Sequence, residues 1–92
     1  MKTRTILKIE AGEPIAFFPV EPADMNPANC SCYRRQGQHG AACTGYAALL
    51  KPARPDQAAP LIRELVSIGY DLDIVRKFRP VDLQARREAL GR

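Results

Sequence analysis

Cys30, Cys32, His39 and Cys43 follow one another as C-x-C-x6-H-x3-C and include every cysteine and the only histidine of the chain. Three thiolates and one imidazole are a legitimate tetrahedral zinc set, and Gly37, Gly40 and Gly45 would let the backbone turn around an ion. The C-x-C opening is tighter than the C-x2-C or C-x4-C of most structural zinc sites. Three readings of the segment therefore stay open: a zinc site, ordinary reduced cysteines, or a disulfide. An odd cysteine count, with no apolar run near Met1 long enough for a signal peptide, fits a reducing, cytoplasmic setting and argues against a disulfide framework.

A Cys–His pair can also generate a thiolate nucleophile. That chemistry needs a third group to orient the histidine and an oxyanion hole, and no residue at recognisable spacing supplies them. The chain carries no phosphate-binding glycine motif, no paired-carboxylate pattern and no zinc-hydrolase helix. Binding without catalysis is the expectation.

The same segment holds Tyr33, Arg34 and Arg35. Arginine forks grip phosphates in a bidentate way, and an adjacent tyrosine can stack on a base. Arg76, Lys77, Arg79, Arg86 and Arg87 extend the basic set and could share one face with it. Charge is polarised along the chain. Glu10 to Asp24 contains four acids and no base, whereas Arg76 to Arg92 contains six bases and two acids. With a net charge of +4, this distribution suits an anionic partner at one end of the molecule. The competing reading pairs these arginines with Asp71, Asp73, Asp82 and Glu88.

Two classes of partner follow. One is RNA or DNA, bound directly. The other is a protein or ribonucleoprotein complex, blocked by a small docking inhibitor of the kind phages and mobile elements direct at host defence complexes. A zinc-stabilised structural module is compatible with either role.

The elements that must position these residues are short. At 92 residues, 46% hydrophobic and 26% charged, the chain has the size and composition of one globular domain, residues 1–92. Residues 3–9 alternate as a strand, with Thr3, Thr5, Leu7 and Ile9 on one face and Arg4, Ile6 and Lys8 on the other. Residues 15–20, IAFFPV, read as a second strand. Pro19 lacks an amide donor, which places that strand at an edge or ends it there. An edge carrying Phe17 and Phe18 would be a surface for homodimerisation. Residues 21–45 contain few large apolar side chains and read as a long Cys/His loop.

TGYAALLKPA, from Thr44, reads as a buried strand or the start of a helix. Asp56 is a candidate N-cap for the principal helix, residues 57–68, whose Leu61, Ile62, Leu65 and Val66 form an apolar stripe. Pro60 belongs in its first turn and Gly69 is its left-handed stop. Residues 71–78 read as a strand. A short C-terminal helix follows, with Arg86 and Arg87 exposed. The expected fold is α+β: a three- to four-stranded, mostly antiparallel sheet with one principal helix on a face.

Overall fold

The computed structural model describes residues 2–91. It is an α+β fold with an open, mostly antiparallel sheet of six strands and three helices. Strands β1 (Thr3–Glu10) and β2 (Glu13–Pro22) form a hairpin, and β3 (Asn29–Arg34) and β4 (Gln38–Cys43) form a second. Helix α1 (Thr44–Leu49), the two-residue strand β5 (Lys51–Pro52), helix α2 (Pro55–Ser67), strand β6 (Leu72–Val75) and helix α3 (Pro80–Ala89) complete the chain. The sheet order is β4-β3-β2-β1-β5, and β6 joins β1 in parallel beside β5.

The strand count exceeds the expectation because residues 29–43 pair as a hairpin where a loop was expected. The reason is the pleat. NCSCYR buries Cys30 and Cys32 on one face and Tyr33 on the other, so small thiols do the work usually left to larger apolar side chains. Glu64 of α2 stands over the β3–β4 turn and accepts from the backbone amides of Gln36 and Gly37, at 2.8 and 3.4 Å.

Strand β2 is interior, contrary to the expected edge position, and it runs on to Pro22, although its regular pairing stops at Phe18, just before Pro19. It pairs with β1 as far as Phe17 and with β3 through Phe18, and a bulge then shifts the register up to Pro22. Pro19 sits in that bulge, where no ladder bond requires its missing amide. Phe17 and Phe18 are fully buried, one on each face, so they offer no edge for a second copy.

Two apolar clusters sandwich the sheet. Ala16, Phe18 and Tyr33 meet Leu61 and Leu65 of α2 on one face. On the other, Ile6, Ile15, Phe17, Cys30 and Cys32 pack with Ala47 of α1, and Phe78 adds cover. The alternation assigned to β1 holds, with Ile6 on the α1 face and Leu7 on the α2 face.

Helix α2 begins two residues before the expected start, at Pro55. Gln57, rather than Asp56, closes the cap, its side-chain oxygen accepting from the Arg54 amide at 2.9 Å. Pro60 therefore falls in the second turn. Gly69 ends the helix at φ +111°, and the Tyr70 amide reaches back to the Leu65 carbonyl at 3.0 Å. Residues 44–49 adopt the helical alternative, and β6 is shorter than the strand expected over 71–78.

Candidate functional site

The pleat separates the Cys/His set. Cys30 and Cys32 lie in the cluster beneath α1, whereas His39 pairs in register with Tyr33 on the α2 face. His39 packs edge-on against the Tyr33 ring, and its Nε2 lies 3.2 Å from the Tyr70 hydroxyl. Cys43 pairs with Asn29 at the far end of β4 and is exposed. The four residues do not converge, and among the described residues no group of three metal-ligating side chains does. All three cysteines are free thiols. Burial pushes the Cys30 thiol up to about 11 and raises Cys32 as well, so neither supplies a thiolate at neutral pH.

The expected basic and aromatic face is also divided. Tyr33 is 2% exposed and its hydroxyl donates to Glu64, which removes its ring from any stacking role. Arg34 makes a two-pronged bond to Glu10, at 2.8 and 3.1 Å, and Arg35 stands 3.8 Å from Glu64. Arg86, expected on the surface, is 3% exposed and donates to the carbonyls of Pro19 and Pro27. Asp82 does not pair with a neighbouring arginine of the C-terminal segment. It is 1% exposed and takes a two-pronged bond from Arg4, at 2.9 and 3.0 Å. Arg76, Lys77, Arg79 and Arg87 are exposed, and among the described residues none is in an ion pair. Arg92, part of the basic tail, lies outside the described residues.

A different site emerges at the seam where β5 and β6 share the outer side of β1. Strand β6 pairs through Ile6 and β5 from Lys8, and the Ala53 amide caps the Leu7 carbonyl between them at 3.0 Å. Two clefts open there. One, of about 460 Å³, is lined by the aliphatic Leu7, Ala58, Ile62 and Ile74 together with Lys8, Arg54 and Arg76. The second, of about 470 Å³, is lined by Lys8, Ala48, Pro52, Arg76, Lys77 and Phe78. Lys8, Pro52 and Arg76 line both, and among the described residues no acidic side chain lines either.

Lys8 is the central cation. The residue is 7% exposed, and among the described residues its ammonium has neither a carboxylate nor a hydrogen-bond acceptor. Among the described residues every fully enclosed side-chain polar atom has a partner, so the unpartnered Lys8 ammonium keeps some access to solvent while most of the residue is buried. Arg54 is partly neutralised by Asp56 at 3.2 Å. Cations over an apolar floor attract anions more strongly than the same charges in open water. The arrangement is suited to holding an anionic group beside an apolar or aromatic one.

Sequence reasoning placed Arg76 and Lys77 in the basic set but missed Lys8 and Arg54. In sequence Lys8 alternates with Arg4 and Ile6 on one face of the strand, and nothing local marks it as buried. Its burial comes from β5 and Phe78, which are distant in sequence. The one available signal was the presence of Arg4 and Lys8 on the same side as Ile6 in a strand that both faces cover. Compared with known protein families, curated proteins and solved structures, the chain matches none.

Proposed function

We propose that the chain is a non-enzymatic binding protein acting on a nucleic acid or on a complex that contains one, through the seam between β5 and β6. The observation that carries this reading is the grouping of Lys8, Arg54, Arg76 and Lys77 in the linings of two clefts that share Lys8 and Arg76, with no acid lining either among the described residues. Phosphates neutralised by such cations release counterions, so binding should weaken steeply as salt rises. The test is fluorescence anisotropy with labelled RNA and DNA across a salt series, using the native chain and an Arg76→Glu/Lys77→Glu variant. Salt-sensitive binding that the double reversal removes supports the reading. No binding at low salt refutes it.

A second reading, a docking inhibitor of a protein or ribonucleoprotein complex, is favoured by strand β4. Among the described residues no strand pairs with its outer side, and its residues Gln38–Cys43 include no Asp, Glu, Lys or Arg. A partner strand could add to that side through main-chain bonds. Stoichiometric capture of such a complex, without affinity for free nucleic acid, would select this alternative.

A further inference from the structure

We infer that the seam takes single-stranded rather than duplex nucleic acid, with one backbone phosphate on Lys8 and an adjoining base against Phe78. This rests on the nucleic-acid reading above and names the form of the ligand. The argument starts from the recess of Lys8. Its ammonium is unpartnered among the described residues, while the residue as a whole is 7% exposed and lines both clefts.

Duplex phosphates are carried on a stiff, convex rod with a persistence length of about 150 base pairs. Such a surface meets raised arginines and lysines more readily than a recessed one. A single strand bends freely and can lower one phosphate into the cleft that Lys8 shares with Phe78 while its neighbours rest on Arg76 and Lys77. Phe78 supplies the second half of the subsite. It packs against the cluster of Ile6 and Phe17 and also lines the cleft shared with Lys8 and Lys77. An aromatic ring between cations is the pairing that single-strand binders use, because every base has a π-face and stacking needs no particular sequence.

The opposite cleft differs in kind. Its floor is aliphatic, from Leu7, Ala58, Ile62 and Ile74, and offers no ring for stacking. The base is therefore expected in the cleft that holds Phe78, not in the aliphatic one.

The experiment uses the full chain with labelled oligothymidylate, oligouridylate and a mixed-sequence duplex, each titrated across salt. The variants are Lys8→Met, which keeps the buried stem, Phe78→Leu, and Phe78→Tyr as the conservative rescue. Single strands are expected to bind at least about tenfold more tightly than duplex, consistent with loss of a stacking contact and a recessed phosphate contact. Lys8→Met should weaken single-strand binding and flatten the log–log salt slope by about 0.7, the share of one phosphate on a single strand. Phe78→Leu should weaken binding with the slope unchanged, and Phe78→Tyr should restore it.

Equal affinity for duplex and single strands, or a Lys8→Met variant with native affinity and slope, overturns the inference and leaves the nucleic-acid reading standing. No binding to any of the three probes at low salt overturns both. Melting temperatures of all variants are measured alongside. If Phe78→Leu proves too unstable to assay, the Lys8→Met slope alone decides.

Discussion

The Pro19 carbonyl accepts a hydrogen bond from Nη1 of Arg86 at 2.6 Å, joining the bulge of the interior strand to the last turns of the C-terminal helix across 67 residues of sequence. The same guanidinium reaches the Pro27 carbonyl through Nε at 2.8 Å. Arg86 thus serves two carbonyls that the bulge and the following loop leave without ladder partners. Replacing it with methionine is expected to cost about 1–3 kcal/mol for the buried Pro19 carbonyl left without a donor, and less for the part-buried Pro27 carbonyl. Urea denaturation should show a lower midpoint with an unchanged slope, and nucleic-acid affinity measured on the folded fraction should be native.

Asp82 anchors the other end of the same helix. It accepts from Arg4 and also, through Oδ2, from the Arg79 amide at 2.7 Å. Asp82→Ala leaves Arg4 without its partner and the helix without its cap. Removing one partner of a buried pair costs about 3–5 kcal/mol, and partial exposure of Arg4 puts the expected loss near the lower bound. Asp82→Asn, which keeps the acceptor oxygen, should lose less. Thermal unfolding of the two variants measures the difference.

The thiols divide by access. Ellman's reagent should react quickly with one equivalent, Cys43, and reach Cys30 and Cys32 only after denaturation. Metal analysis of the purified chain should find no stoichiometric zinc, and a chelator should leave the melting temperature unchanged. Stoichiometric zinc lost together with stability would restore the Cys30, Cys32, His39 and Cys43 site.

Tyrosine ionisation offers a pH test. Bonds to Glu64 and to Glu10 raise Tyr33 and Tyr46 above the ordinary tyrosine value, and burial raises Tyr70. These are all three tyrosines of the chain. Ultraviolet titration of the native protein should therefore show no ionisation at the model-peptide position. A raised phenol stabilises the fold below its unfolded value and loses that contribution as pH rises through the folded one.

The acid side runs the other way. The Tyr33 hydroxyl holds the Glu64 carboxyl below its ordinary range, and Arg34, then Tyr46, do the same for Glu10. Depressed carboxyls stabilise the fold above the ordinary carboxylate range and lose that contribution as pH falls through their lowered values. Glu64→Gln should flatten the acid limb of a stability–pH curve and loosen amide protection at Gln36 and Gly37. An unchanged acid limb would show that the Tyr33–Glu64 bond contributes nothing to stability.

The first hairpin strand, the apolar stripe of α2, the Gly69 stop and the terminal helix were all legible, because each is written in local spacing. The second hairpin was not. Its core side chains include two cysteines and a tyrosine set among arginines and glycines, a pattern that resembles a polar loop until β2 and α2 cover its two faces. Pro19 misled for a related reason, since a bulge removes the penalty on which the edge assignment rested. The binding residues divided by reach. Arg76 and Lys77 were recognisable as charge, whereas the burial of Arg86 and Tyr33 and the recess of Lys8 depend on partners far along the chain.

The two margins of the sheet are unequal. On one side, Lys51–Pro52 and the four residues of β6 are short, and one of them is a proline, which discourages further pairing. On the other, β4 presents six residues without Asp, Glu, Lys or Arg, and among the described residues its outer side is unpaired. Growth by strand addition therefore has one receptive margin per molecule. Two copies joined along β4 would use up both receptive margins, so such assembly terminates at a pair and does not propagate into a fibre.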